Sequence, residues 1–520
     1  MLISQNMVAR NRGRLLASYR SPSRSRYMAA PEAHFQHLST FKLPVLERER
    51  PDTAARASGP VARRALRAGY ADMLVIGNGI AGLAASVEAR RYAPDADILI
   101  VTEQNYPTIN TPALKQFGAG LLDVEQLLAY PPGTERELGI GMVNLRASKL
   151  DTLSRQVQLA DGQTIKYGRL LLATGARPAG LPSACPGREF DGVLSLHRLE
   201  NYLDLRRRLP EVSSVVVIGG GYHAAETAML LRHWKVRVTW LIRGQTFLSN
   251  LLDDVASDML IRHIQRLGVD VRLETEVAGV VGRIGVVAGV VTTEQEFLPC
   301  QMVIVCTGAA PATDLAQGTG VSLSTRNGLK VNGRLQTAAP DVFAAGDVAA
   351  VLDPQSGRYA PRAQWYSAFQ QGRLAAAAMS GASIPPGAEA GVLGCFWHAT
   401  QLGEMGVLTA GGPMLSEDDH RENEVLCNGA SGFYRRLVVR QNRLIGYLAL
   451  GPRPSGGLAI KRLIDEGINI GEIKRQLLTE GFDVRSFFTH RRLHALQSGG
   501  AALPAGSSRR QSPHRQLAFS

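Results

Sequence analysis

Cysteine is scarce and comes late in the chain. None precedes Cys185, and the five present, Cys185, Cys300, Cys306, Cys395 and Cys427, are scattered without metal-ligand spacing. An odd, dispersed set excludes a disulfide framework, holds out no metal site, and indicates a reducing compartment, the cytoplasm. Cys300 and Cys306 bracket the apolar run at 302–305 and read as small buried residues beside a strand rather than a redox pair. Apolar stretches long enough to cross a bilayer are also missing. The longest candidate, 215–231, is broken by a glycine turn and Glu226, so no membrane span is expected. Acid is absent from the first thirty residues, which are rich in Arg and Ser but lack the apolar core of a secretory signal. That composition suits an organelle transit peptide or a disordered lead-in. The same bias recurs at 507–515 and favours the lead-in.

The net charge of +13 suggests nucleic acid until it is divided along the chain. Residues 1–69 hold 13 Lys and Arg against 4 Asp and Glu, and 498–520 hold 3 Arg and no acid. Residues 70–497 are therefore within one charge of neutral, so no shaped basic face is expected and nucleic acid is set aside as a partner. At 520 residues the chain can form several domains, and with 45% hydrophobic residues each can bury a sizeable core.

Organised sequence begins near Ala71, where an apolar run at 72–76 enters Gly77, and a second such entry follows at 214–218. Between them, 149–172 alternates apolar and polar residues around Asp161-Gly162, as a hairpin does. Farther on, 375–382 reads as a helix. The segment from about 391 to 497 reads as an α+β unit, with strands at 437–440 and 444–450 and helices at 455–463 and 470–478.

The two strand entries carry the chemistry. Gly77-Asn78-Gly79-Ile80-Ala81-Gly82 is a GxGxxG between a strand and a helix. Gly77 permits the tight turn, Gly79 lets a pyrophosphate approach the backbone, and Gly82 lets the helix pack on its strand. The next strand ends at Glu103, 26 residues after Gly77, where a carboxylate can accept both hydroxyls of a ribose. Gly219-Gly220-Gly221-Tyr222-His223-Ala224 repeats the arrangement, with Ala224 in the third glycine's place. Its following strand ends in Arg243 rather than an acid. This residue could hold a 2′-phosphate, which would tilt the choice slightly toward NADPH over NADH, or it could be a solvated strand end.

Three further segments complete a pattern: 172–178 with Thr174, Gly175 and Arg177; its echo at 305–308 ending in Gly308; and 337–347 ending in Gly346-Asp347. In order and spacing these five motifs resemble the FAD-dependent pyridine nucleotide-disulfide oxidoreductases over about 71–383. The resemblance implies an α/β protein of two Rossmann-like domains plus a C-terminal α+β domain. The FAD domain would be made from 70–187 and 308–383, with an NAD(P) domain at 188–307 between them and the α+β domain at 384–497. A disordered basic extension at 1–69 and a tail at 498–520 would flank this body. It further implies FAD and NADH or NADPH as cofactors, Asp347 on the ribityl chain, and Glu226 near the flavin and nicotinamide rings.

Members that reduce disulfides carry paired cysteines that this chain lacks, so the flavin would be the sole redox centre. The chain is then similar to the ferredoxin and rubredoxin reductases and to the flavin part of assimilatory nitrite reductase. Trp365 opens a stretch similar to the W-x-x-A-x-x-Q-G of ferredoxin reductases, where the Trp lies at the ring end of the flavin; plain core is the alternative. The run 106–120 departs from the family's R-P-x-L-S-K. Thr111 replaces the Arg and Lys115 falls one position early, so pairing of Lys115 with Glu226 is an expectation only. A small iron-sulfur acceptor of ferredoxin or rubredoxin type is the implied partner. The alternatives are an NADH oxidase or nitrite-reductase-like component, and a flavin-bound signalling protein akin to apoptosis-inducing factor. Surfaces around 396–412 would flank the flavin, and a homodimer is left open.

Overall fold

The computed structural model describes residues 57–497 apart from 250, 325–327, 354–356, 385–393, 413–422, 431, 453 and 455, with the backbone alone at 57–58 and 492–497. The expected tail at 498–520 and the N-terminal residues 1–56 lie outside the described residues.

The first sheet forms because its central strands are apolar on both faces, as parallel strands covered by helices must be. Ile98–Val101 is buried throughout, and Tyr70–Ile76 nearly so. Its strand order is Ala57–Ser58, Gly141–Val143, Ile98–Val101, Tyr70–Ile76, Thr164–Leu172, Gln156–Leu159 and Ala147–Asp151. Val342–Ala344 returns from far along the chain to pair in parallel with Thr164–Leu172, so two separate chain segments build this sheet. The expected hairpin at 149–172 is the antiparallel run from Ala147–Asp151 through Gln156–Leu159 into Thr164–Leu172.

A second, wholly parallel sheet lies between those segments. It runs Val269–Arg272, Arg237–Leu241, Ser214–Ile218, Met302–Val305 and Val193–Leu194. Cys300 and Cys306 are both buried at the ends of its Met302–Val305 strand.

The C-terminal unit is a five-stranded antiparallel sheet ordered Trp397–Leu402, Met405–Gly411, Arg443–Gly451, Phe433–Arg440 and Glu424–Ala430. Leu402, Met405, Val407 and Leu448 join the core of the inserted unit, while Leu408, Ala410 and Leu437 pack toward Ile460 and Leu463 of the Gly457–Asp465 helix. The sheet is therefore clamped between its own helix and the inserted unit. This brings its edge strand, Trp397–Leu402, over the second glycine turn.

Two expectations are corrected. The extension expected to be disordered through residue 69 gives way to the fold at Ala57. Ala57–Ser58 pairs with Gly141–Val143, and the helix Gly59–Ala68 buries Ala62 and Ala65 against the sheet. The helix expected at 470–478 is instead a set of turns closing in a short 3-10 turn, Gln476–Leu478. The Asn469 side chain caps the Gly471 N–H, and the Ile470 N–H donates to the Asn442 carbonyl, so the segment is tied to a strand hairpin rather than to its own helix.

Candidate functional site

A single cavity of about 1660 Å³ runs between the three units. A pocket for one drug-sized ligand takes roughly 300–1000 Å³, so this one has room for more than one ligand.

At one end the Tyr70–Ile76 strand turns through Gly77 into the helix Ile80–Tyr92, whose N-cap is Gly79. Gly77 adopts φ +110°, and a Cβ there would stand 2.3 Å from the Ala173 carbonyl oxygen, so only glycine fits. A Cβ at Gly79 would meet no atom within 4 Å. Its open side faces the cavity beside free helix N–H groups, the environment that suits a pyrophosphate. Ile80, Ala81 and Gly346 also line this end. Gly82 lies inside the helix, where a Cβ would collide with the Gly77 carbonyl. Gly346 is held by its N–H donating to Gln371 Oε1 at 2.7 Å. The carboxyl of Asp347 lines the cavity with no hydrogen-bond partner among the described residues, and burial pushes it up to about 6. An orphaned carboxyl on the cavity wall fits a hydroxyl-bearing ligand chain.

The other predicted residues of this half are placed as follows. Glu103 lines the cavity but is half exposed and pairs with Arg198 at 3.1 Å. The Thr174 hydroxyl donates to the Ala312 carbonyl at 2.7 Å, so its side chain is committed to the fold rather than offered to a ligand. Arg177, beside Gly175, is ion-paired with Asp314, and both line the cavity together with Gly308. Trp365 begins the helix Trp365–Met379 and stacks parallel on Phe369 with centroids 5.9 Å apart. Its Nε1 is buried without a partner and its ring lines the cavity, so it is partly core and partly site.

The second turn repeats the first in backbone geometry. Gly219 has φ +136°, Gly221 is the N-cap of the helix Tyr222–His233, and a Cβ at Gly221 would meet nothing within 4 Å. Ala224 is fully buried in that helix. Arg243 stands away from the cavity lining, 81% exposed, with Glu276 at 3.8 Å.

The helix Tyr222–His233 aims Glu226 at a junction of all three units. Lys115, from the short helix Leu114–Gly118, reaches Glu226 Oε2 at 2.8 Å. The one-position shift in the 106–120 run thus does not prevent the pairing. From the C-terminal sheet, the Thr400 hydroxyl donates to Glu226 Oε1 at 2.8 Å, and His398 Nε2 stands 3.6 Å from the same oxygen. Burial opposes the charge on Glu226, but Lys115 and His398 outweigh it and hold the carboxyl well below the usual carboxylate range. His398 also stacks on Tyr222, centroids 3.9 Å apart, and the Tyr222 hydroxyl meets Thr409 Oγ1 at 3.2 Å.

Sequence reasoning missed His398, Thr400 and His223. The first two lie in a strand without any motif, and only tertiary packing brings them to Glu226. His223 was in plain view inside the second glycine motif. Among the described residues no cluster of metal-ligating side chains occurs, and no helix is long and apolar enough to cross a membrane.

Relatives agree with this layout. A probable ferredoxin reductase of Castellaniella defragrans is 30% identical over 316 residues, 60% of this chain and 76% of the relative. A rubredoxin-NAD(+) reductase of Pseudomonas putida is 27% identical over 60% of this chain and 81% of its own. The crystal structure of a ferredoxin reductase from Rhodopseudomonas palustris superposes with TM-score 0.70 at 23% identity, over 80% of this chain and 99% of that one, which shows a shared fold. Residues 71–372 match the model of the pyridine nucleotide-disulphide oxidoreductases, and the chain belongs to that family as a flavoprotein oxidoreductase that uses FAD and NAD(P)H.

Proposed function

We propose that the protein takes reducing equivalents from NAD(P)H at the Glu226 end of the cavity and delivers electrons to a small iron-sulfur protein of ferredoxin or rubredoxin type. The observation that carries this reading is the joining of two glycine-turn helix N-termini by one cavity, with an ionised, triply held carboxylate between them. The two relatives named for ferredoxin and rubredoxin reduction support the choice of acceptor.

In this reading, the segments 70–187 and 308–383 form the FAD unit and 188–307 the NAD(P) unit. The helix Ile80–Tyr92 holds one pyrophosphate over Gly79, and the helix Tyr222–His233 holds the other over Gly221. Glu103 faces the adenosine ribose, Asp347 accepts from the ribityl hydroxyls, and Trp365 closes the ring end. Glu226, kept charged by Lys115, Thr400 and His398, fixes the electrostatics where the two rings meet. FAD, when bound, supplies the conversion of a two-electron hydride donor to single-electron delivery.

Protein thiols stay outside the reaction. Cys306, which lines the cavity, is unpaired, and burial pushes its thiol up to about 12. Five unpaired thiols also fit the cytoplasm. Arg243, exposed and outside the cavity lining, tilts the nucleotide choice only slightly toward NADPH.

The test is anaerobic titration of the full chain with NADH and then NADPH, followed by an oxidised ferredoxin or rubredoxin. The expected result is stoichiometric bleaching of the flavin band and its return on adding the iron-sulfur protein. A band that stays oxidised with both nucleotides refutes the reductase reading. Rapid return with oxygen alone and none with either acceptor refutes the partner.

A further inference from the structure

We propose that His223 is a nicotinamide-binding residue, its Nε2 accepting a hydrogen bond from the carboxamide N–H of NAD(P)H. His223 is the second residue of the helix Tyr222–His233 and lies three positions before Glu226, on the same face one turn nearer the helix N-terminus. Its ring lines the cavity, and its Nε2 is buried without a hydrogen-bond partner. A buried polar atom in this position is nearly always matched in the working protein, and the residue that carries it lines the cavity.

The chemistry of the unmatched atom narrows what can match it. Nε2 is the ring nitrogen left unmatched, and the Leu196 carbonyl favours a proton on the ring, so the one proton of a neutral imidazole belongs on Nδ1 and Nε2 keeps its lone pair. Burial first, and then Lys115, push the imidazole down to about 4, so at neutral pH it stays in that form. A lone pair repels phosphate and carbonyl oxygens, and the neighbouring Lys115 disfavours a cation. A neutral N–H or O–H donor remains. On the nicotinamide half of the dinucleotide the candidates are the carboxamide and the ribose hydroxyls. The ionisable groups that act on the ring are Lys115 and Glu226, and after them His197; the first two mark the reacting end of the cavity, and this points to the carboxamide.

The assignment rests on the reading that NAD(P)H reduces this protein, and the experiment separates the two. Wild type, His223→Leu and His223→Asn are compared with the preferred nucleotide and with its reduced 3-acetylpyridine analogue. The analogue carries a methyl ketone in place of the amide and keeps every ribose hydroxyl. Flavin content and Tm establish that each variant is folded, and His223→Ala replaces the leucine variant if that one loses its flavin.

The expected result is that His223→Leu loses about tenfold in kcat/KM with the natural nucleotide, mostly through KM, as for one hydrogen bond. With the analogue it changes by less than about twofold, and His223→Asn, which keeps an acceptor, recovers part of the loss. Equal losses with both nucleotides, or no loss with either, overturn the assignment. A wild-type protein reduced by neither NADH nor NADPH overturns the underlying reading instead.

Discussion

Replacing Lys115 with methionine tests the junction most directly, because it removes one charge and keeps the side chain's length. Lys115 and Glu226 are 29% and 13% exposed, so water screens the pair only in part. Removing one partner of a buried pair costs about 3–5 kcal/mol when the remaining charge is left uncompensated. Here the Thr400 hydroxyl still donates to Glu226 and His398 is still 3.6 Å away, so a loss near the lower end, about 3 kcal/mol, is expected at pH 8.

The pH dependence has a definite sign. In the native protein Glu226 is held below its unfolded value of about 4.3, so its stabilisation is complete above that pH and fades only in strong acid. In Lys115→Met, burial becomes the dominant influence and raises the carboxyl. The variant's folded state then gains a proton as pH falls toward 5, while the native protein does not. The stability deficit should therefore shrink from pH 8 to pH 5. At roughly 1–2 °C per kcal/mol for a body of this size, Tm should fall by about 3–6 °C at pH 8 and by clearly less at pH 5. Thermal unfolding followed by flavin fluorescence and near-UV circular dichroism at four pH values measures this. A deficit that is constant, that grows on acidification, or that is missing altogether refutes the argument.

Other perturbations have separable outcomes. Gly77→Ala, which forces a Cβ at φ +110° to within 2.3 Å of a carbonyl oxygen, should not give folded flavoprotein on expression. Gly79→Ala, whose Cβ meets only open cavity, should fold with a near-native Tm but bind FAD more weakly; equal behaviour of the two would contradict the assigned turn geometry. Asp347→Ala should weaken FAD binding by about 10–100-fold, measured by fluorescence titration of the apoprotein, as for a hydrogen bond to a charged group. Because burial raises Asp347 to about 6, the apoprotein should lose stability as pH rises from about 4 to 6 and be level above, and Asp347→Asn should remove that slope. Arg243→Gln should lower kcat/KM for NADPH by about tenfold and leave NADH unchanged, consistent with loss of one exposed phosphate contact. Equal loss for both nucleotides would remove Arg243 from the specificity argument.

The sequence displayed the features that backbone geometry makes local. A glycine at φ +110° and a strand buried on both faces depend on a few neighbouring residues, so both glycine turns and their helices were readable. The helix Gly59–Ala68 was hidden because the face it buries is made of alanines, Ala62 and Ala65, set among arginines. Two small side chains give almost no apolar signal, yet they suffice where a helix lies close on a sheet. The helix expected at 470–478 failed for the opposite reason. Its apolar residues have helical spacing, but Asn469 and Gly471 fix a turn and the Ile470 N–H already donates to a neighbouring hairpin.

Glu226 shows where local reading stops. Its place in the second helix marks it as a functional acid, but its charge state is not a property of that helix. Burial alone would raise the carboxyl and favour its neutral, proton-donating form. Lys115 comes from the helix Leu114–Gly118, and Thr400 lies 174 residues downstream on the C-terminal sheet. Lys115 and His398 reverse that, and with the Thr400 hydroxyl donating to the carboxylate they leave a fixed negative charge. The C-terminal sheet is thus part of the electrostatics of the site and not merely a platform beside it. Thr400→Val should accordingly change the rate of flavin reduction by NAD(P)H while leaving FAD affinity unchanged, because the hydroxyl bears on Glu226 and on no part of the first glycine turn. A Thr400→Val protein with native reduction kinetics would mean that Lys115 and His398 set the charge without it.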